Sequence, residues 1–543
     1  SHHDRRRDHL MAQLTGGQAL AQQLVKEGVE VIFGLPGDQM MHALDGLYDV
    51  TDQIRFITTR HEQATTFMAD GYARASGRPG VAFVVPGVGV YNSGAGMATA
   101  YATSSPVLQI AGQVVRDTIG RAMGSLHEVH EQLDLVRPVT KWQARALRAV
   151  EIPTALHEAF RQMATGRPRP THVEAPPEAF AESAEITLID REHYAPTAAD
   201  RDQIRTAAQL LAKAERPLIV AGGGAVLGDA TDELRELAEL LQAPVVMTRE
   251  GKGAFDDRHP LALGVMWTNP RVAPHVADAD VIVAIGTRFA GIGAKAPTRV
   301  IQIDVDINEI GRQYPNTFGL CGDARLTVSA LRDELDRMGP ARPSRAAEVQ
   351  AARGAIIESL RKLPQCKIAE DLRAAMPDDT IVVPGTTTVG YISHMRMDVY
   401  LPRTYIGSSY MGTLGFSFPT ALGAKVARPD RPVVSINGDG GFLYCATELA
   451  TAMQHGINVV ALVFNDGAFG NSNRDQRDRF GGREIGTVLQ NPNFAKLAES
   501  FGADGMQLKH ADDIGPALKE ALGNNRTTVI EIPIPRLPSP FVI

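Results

Sequence analysis

The stretch "RPVVSINGDGGFLYCATELATAMQHGINVVALVFNDGAFG", residues 431–470, decides the fold. Val433–Ile436 and Asn458–Phe464 are short apolar runs with the composition of strands buried on both faces. Between them, Phe442 to His455 carries the spacing of an amphipathic helix. Strand, helix and strand make one βαβ unit, with a right-handed connection and parallel strands. The turns "NGDGG" and "NDGAFG" then leave the C-terminal ends of parallel strands, at the edge where open α/β sheets hold ligands. Asp439 and Asp466, 27 positions apart in the chain, are therefore predicted to converge.

Two carboxylates meeting in a crevice repel each other unless a cation lies between them. A hard cation such as Mg2+ takes few protein oxygens and completes its shell with phosphate and water. Gly438, Gly440 and Gly441 let the backbone approach a diphosphate closely, and the helix start after them offers free N–H groups to the same anion. Either turn alone is explained by the backbone preferences of Asp and Gly. The pair in one unit points instead to a metal–diphosphate site.

The same alternation runs through the chain. "VEVIFGLPG" (29–37), "IRFITTR" (54–60), "GVAFVVPG" (80–87) and "SPVLQIAGQ" (105–113) read as strands, with helical stretches such as "EQATTFMADGYARASG" (62–77) between them. With 543 residues the chain is too long for one core, and its length suggests about three domains. Polar, Pro-bearing stretches at 165–201 and 337–354 mark the boundaries. Domains are expected at 11–185, 195–340 and 355–540. Residues 1–10 read as a tag remnant, with a natural start near Met11.

Composition excludes several classes. Apolar residues make up 44% of the chain and glycines number 51, as in a globular α/β protein. A net charge of −7, with no basic run beyond the N-terminus, gives no footprint for nucleic acid. No apolar run approaches the ~18 to 20 residues of a membrane span. Cys321, Cys366 and Cys445 lie far apart in no metal-like spacing, which fits reduced thiols and a cytoplasmic location.

"GDGG…NDG" resembles the thiamin diphosphate motif of the acetolactate synthase and pyruvate decarboxylase superfamily: GDG, a spacer of this length, then an Asn pair. The resemblance extends over nearly the whole chain from about Leu14. It implies an α/β protein of three doubly wound parallel-sheet domains, pyrimidine-binding, Rossmann-like and diphosphate-binding. It also implies that Asp439, Asp466 and the carbonyl of Ala468 hold Mg2+, with Phe469 beside the cofactor. Asp466 stands where the second Asn usually lies, which adds negative charge beside a diphosphate. By the same resemblance, Leu414 in "SSYMGTLGFSFPTALGAKVA" (408–427) wedges between the two cofactor rings, and the Gly412 carbonyl binds the 4′-amino group. Thr386 and Thr387, after a strand Thr380–Val383, offer hydroxyls to the diphosphate.

Glu62 sits where a strand ends and a helix begins. Alone, it is explained as a first-turn carboxylate favoured by the helix dipole. In its "HEQ…A.GYAR" context it resembles the family's activating glutamate. There a carboxyl group at N1′ of the aminopyrimidine promotes the tautomer that leads to the reactive C2-ylid. Asp38, after the turn "GLPG", reads either as a helix N-cap or as the catalytic aspartate of pyruvate decarboxylases. Acetolactate synthases carry Gly there. His127 stands where synthases have Gln, and reads as a proton shuttle or a solvated loop residue. Gln113 at a strand end is a candidate to orient substrate, and Asn92 to face the cofactor.

In the middle segment, "RPLIVAGGGAVLG" (216–228) gives an incomplete dinucleotide motif, with Leu227 where the last Gly is needed. "VIVAIGTRF" (281–289) and "RVIQIDVDINEIG" (299–311) resemble segments that line FAD in acetolactate synthases. Relatives with ADP or no nucleotide share them.

The resemblance implies a decarboxylase or carboligase acting on 2-oxo acids or aldehydes. Its active sites would lie between subunits of a homodimer or homotetramer, because Glu62 and the metal site fall in different domains. A 2-hydroxyacyl-CoA or oxalyl-CoA lyase is the alternative within the family, though "IPIPRLPSPFVI" offers only Arg536 to CoA. A nucleotide-binding protein with a dead thiamin fold is the alternative of another class. It has no need for Glu62, Asp439 and Asp466 together.

Overall fold

The two apolar runs of the deciding stretch form the strands Val433–Gly438 and Val460–Asn465. In the computed structural model, which describes residues 12–266, 269–339 and 342–541, they pair side by side and parallel, with Gly438 opposite Phe464. The suspected tag and the start near Met11 lie outside the described residues. Val460, Leu462 and Phe464 face one helical layer, packing with Val434, Ile436 and Leu518. Ala461 and Val463 point the other way and are also buried, as expected for a strand covered on both faces.

The single helix expected over 442–455 is three short pieces. They are Asp439–Leu443, a 3-10 turn Ala446–Glu448, and Leu449–His455. The first begins early because Gly438, extended at φ −82° and ψ 157°, turns directly from strand to helix. The break falls at Cys445, whose φ of −133° and ψ of 19° are not helical. Asp439 thus lies inside the first turn of a helix rather than in a loop before it.

These strands belong to a five-stranded sheet in the order Ile381–Pro384, Val433–Gly438, Val460–Asn465, Thr528–Pro533, Asp504–Gln507. Every pair is parallel, so the loops after the C-terminal strand ends share one edge. A second sheet, also wholly parallel, runs Ala262–Val265, Val245–Met247, Pro217–Ala221, Val281–Ile285, Arg299–Asp304, Thr317–Cys321. Both lie in a compact unit that starts at Ala195 and also takes in Arg74–Gly77.

The other unit runs to Tyr194. Its six parallel strands are ordered Arg55–Thr58, Val31–Gly34, Gly80–Val84, Val107–Gly112, Thr171–Ala175, Trp142–Arg145. The helix Glu62–Ser76 follows the first of these and ends at Gly77, whose φ of 76° suits only glycine without strain. A small antiparallel pair, Ala12–Thr15 with Ser183–Ile186, was not expected. Both strands have four residues, too few to show a period of two. All three large sheets are parallel and helix-covered, the α/β class expected from the sequence.

Candidate active site

Asn465, not Asp466, closes the turn of "NDGAFG". Its Oδ1 accepts the Gly467 N–H at 3.2 Å, the side-chain-to-backbone bond of an Asx turn. Its Nδ2 is anchored on Glu531 Oε1 at 2.9 Å. Gly467 has φ 67°, so the turn also needs glycine there. Asp466 follows Asn465, its carboxylate accepting the Ala468 N–H. Gly470 makes room for it: a Cβ at that position would lie 2.5 Å from Asp466 Oδ2.

Asp439 comes to the same place from the neighbouring strand. The N–H groups of Gly440 and Gly467 both favour its charged form, so it reaches across to the second turn. Burial nevertheless raises its pKa. Asp466 is pushed up to about 6, first by burial and then by the charge of Asp439. The Ala468 N–H and the charge of Arg536 offset part of this. Arg536, the one cation of the C-terminal stretch considered for CoA, is itself 3.3 Å from Glu484.

The donor set fits a hard divalent cation. A buried carboxylate and a half-buried one, both with raised pKa values, are what a cation would relieve. Among the described residues no cluster of three or more His, Cys, Asp or Glu could hold a metal, so the shell needs oxygens of another kind. The Ala468 carbonyl is placed to offer one. Ala468 bridges Val488 antiparallel, with bonds from Leu489 N–H to Gly467 O and from Phe469 N–H to Thr487 O. In that pattern the N–H and C=O of Ala468 itself point away from the 487–489 strand, toward the side where its N–H meets Asp466.

A cavity of about 390 Å³ opens at these turns. Thr386, Thr387, Leu414, Gly438, Asp439, Gly440, Gly441, Asp466, Ala468 and Phe469, all expected at the site, line it. The glycines differ in role. A Cβ on Gly440 would strike the Phe469 ring at 2.6 Å, so that glycine serves packing. A Cβ on Gly441 would meet nothing closer than 3.9 Å, so it would project into the cradle. Gly412 lies outside this cavity, in a neighbouring one of about 220 Å³ that shares the walls Thr386 and Tyr391. It is left-handed at φ 60°.

In the first unit, Glu62 opens its helix and is buried at 7% exposure. Asn92 Nδ2 donates to its Oε2 at 3.0 Å, so these two expected residues meet. His127 has φ 64° and places Nδ1 3.0 Å from Gln39 Oε1. Asp38 is exposed and is not a helix cap. It is the first residue of the 3-10 turn Asp38–Met40, and the cap position is Gly37, with no side chain to bond. Gln113 is buried, its Nε2 donating to Glu174 Oε1 at 3.1 Å and its Oε1 accepting the Val114 N–H at 2.7 Å.

Three family models match in order. "Thiamine pyrophosphate enzyme, N-terminal TPP binding domain" covers residues 14–136, the central domain 204–331, and the C-terminal TPP binding domain 385–532. The chain belongs to the thiamine pyrophosphate enzymes. This thiamine pyrophosphate enzyme is 37% identical to the "Probable acetolactate synthase large subunit" of Methanocaldococcus jannaschii, over 96% of this chain and 92% of that one. It is 34% identical to the "Probable 2-ketoarginine decarboxylase AruI" of Pseudomonas aeruginosa, over 96% and 94%. It is 32% identical to the sulfoacetaldehyde acetyltransferase of Castellaniella defragrans, over 97% and 95%.

The sequence reading missed Asn491. Its Nδ2 donates to Asp439 Oδ2 at 2.6 Å and to Asn465 Oδ1 at 3.0 Å, joining the two turns of the site. "QNPNF" signals only a loop. In the central sheet, strand order reverses between Pro217–Ala221 and Val281–Ile285. There a Cβ on Gly222 or Gly224 would come within 2.3 or 2.6 Å of Gly286 atoms, so both glycines serve close packing. Among the described residues no helix is long and apolar enough to cross a membrane.

Proposed function

We propose that this thiamine pyrophosphate enzyme is a decarboxylase or carboligase that makes or breaks a C–C bond next to the carbonyl of a 2-oxo acid or aldehyde. The observation that carries the reading is the delivery of Asp439 and Asp466 by adjacent parallel strands to one glycine-walled cavity. The names of the relatives, two of which specify oxo compounds, support the substrate class.

In this reading Asp439, Asp466 and the Ala468 carbonyl hold Mg2+. The Gly438–Gly441 backbone, Thr386, Thr387 and Phe469 surround the diphosphate, and Leu414 supports the bend between the rings. The Gly412 carbonyl takes the 4′-amino group. Bound thiamin diphosphate supplies the carbon nucleophile and the electron sink. Glu62 holds a proton at N1′, and Asn92 fixes the Glu62 carboxylate through Oε2. Asp38, Gln113 and His127 orient substrate or carry its protons. Two subunits complete each site, the domain of one carrying Glu62 and that of its partner carrying Asp439. The protein is then a homodimer or homotetramer.

We also assign domain limits at 11–185, 195–340 and 355–540, a central domain that takes FAD, ADP or no nucleotide, and a cytoplasmic setting, in keeping with the absence of a disulfide among the described residues. A flavin absorption band in purified protein distinguishes FAD from the other two.

The test is a screen of 2-oxo acids for CO2 release, with products identified, in the presence and absence of thiamin diphosphate and Mg2+. Cofactor-dependent release or ligation is expected from at least one. Neither with any 2-oxo acid or aldehyde would sink the reading.

A further inference from the structure

Glu174, on the strand Thr171–Ala175, is fully buried and belongs to no motif. Four donors converge on its carboxylate. Oε1 accepts from Gln113 Nε2 at 3.1 Å and Arg145 Nε at 2.6 Å. Oε2 accepts from Gln132 Nε2 at 2.7 Å and lies 3.0 Å from His172 Nε2. A buried carboxylate is tolerated only when its lone pairs are filled in this way. Arg145 and His172 also favour the ionised form, against the opposing effect of burial.

A weld between strands would need only Arg145. The other bonds lead elsewhere. Gln113 leaves the end of the strand Val107–Gly112 and is a candidate substrate-orienting residue. Gln132 donates also to Gly112 O at 2.9 Å, and its Oε1 accepts the Gly87 N–H at 2.7 Å. Gly87, at φ 55° and ψ −98°, starts the helix Val88–Thr103, which carries Asn92. A Cβ on Gly87 would lie 2.1 Å from the His127 carbonyl oxygen, so that turn packs directly on the His127 loop. One carboxylate on the strand Thr171–Ala175 therefore ties together the loops that follow the next two strands in the sheet order, Val107–Gly112 and Gly80–Val84.

We propose that Glu174 is a positioning residue for the substrate-side edge of the site, acting on Gln113 directly and on the His127 loop through Gln132 and Gly87. The inference rests on the proposed 2-oxo acid reaction. A Gln at 174 keeps the shape but turns an N–H2 group toward two of the four donors, so one pair loses its acceptor.

The experiment is a double-mutant cycle of Glu174→Gln and Gln113→Ala on the holoenzyme, read by KM, kcat, Tm and C2–H exchange of the bound cofactor. Glu174 has no bond to Glu62, which meets Asn92 inside the helix that Gly87 only starts, so Glu174→Gln should leave C2–H exchange within about twofold of wild type. KM for the best 2-oxo acid should rise at least tenfold. The double variant should fall short of the product of the two singles, because the Gln113 branch is common to both while the Gln132 branch is lost only with Glu174. Effects that multiply, or a lower Tm with KM and kcat unchanged, would overturn the proposal. If Glu174→Gln fails to fold, Gln132→Met removes the bonds to Gly87 and Gly112 and leaves the contact between Glu174 and Gln113 in place. An unchanged KM there also overturns it. An inactive wild type that still exchanges C2–H would overturn the substrate class and this inference with it. An active wild type with normal KM in Glu174→Gln overturns this inference alone.

Discussion

Asn491 holds Asp439 and Asn465 with one amide nitrogen, at 2.6 and 3.0 Å, from 52 positions beyond Asp439. It fixes the spacing between the two acidic turns without itself being acidic. Groups that hold a metal's ligands typically account for about 10 to 100-fold in affinity. Asn491→Leu is therefore expected to weaken Mg2+-dependent cofactor binding by at least about tenfold. Calorimetry checks this, and wild-type affinity would remove Asn491 from the site.

Gly470→Ala puts a methyl group 2.5 Å from where Asp466 Oδ2 now lies. The carboxylate, at the end of a side chain, has to move, while Gly470 opens a helix in which Ala is favoured over Gly by roughly 0.5–1 kcal/mol. Thermal stability without metal should hold or rise slightly, and Mg2+ affinity should fall. Calorimetry beside a melting curve separates the two, and unchanged affinity would refute the placement of Asp466.

Gly441→Ala is the complementary case. The added Cβ has open space in the protein alone but enters the cradle assigned to the diphosphate. The variant should fold with wild-type Tm and bind thiamin diphosphate at least about tenfold more weakly, since backbone approach is what a missing Cβ permits. Full affinity would place the diphosphate elsewhere.

Asp466 carries the expected pH dependence. Its carboxyl is pushed up to about 6 by burial and by Asp439, above its value in the unfolded chain. Protonation thus favours the folded metal-free protein. That stability is fully present below the ordinary carboxylate range and is lost as pH rises through about 6. Metal binding runs the other way, because a ligand must be deprotonated. Mg2+ affinity should weaken by about tenfold per pH unit below about 6, with a shallower slope in Asp466→Asn, where only Asp439 still titrates. Identical slopes in the two proteins, by calorimetry across that range, would contradict the assignment.

Glu62→Gln retains an oxygen to accept the Asn92 N–H but cannot hold a proton at N1′. Cofactor affinity should change little, and C2–H exchange, followed by NMR, should fall by at least about a hundredfold, the lower end of general acid–base contributions. Unchanged exchange would release Glu62 from its role.

The parts of the site visible in the sequence are those built from local pattern. The βαβ unit, the two acidic turns and the start of the Glu62 helix each depend on residues within a few turns of one another, and periodicity and turn chemistry report them directly. Asn491 and Glu174 were invisible because their partners lie on other strands and loops, and a lone Asn or Glu has no local signature of burial. The break at Cys445 was missed because the apolar spacing continues across it. Asp38 looked like a cap because Asp often is one, yet the turn begins one residue earlier, at Gly37.

The division of labour between Asn465 and Asp466 has a consequence for how such a site can diversify. Folding of the loop is vested in one side chain and the charge offered to the cation in the next. A substitution at 466 that keeps a side-chain oxygen for the Ala468 N–H can therefore tune electrostatics at the cation without rebuilding the backbone that presents it, making this position an adjustable dial on an otherwise fixed mount.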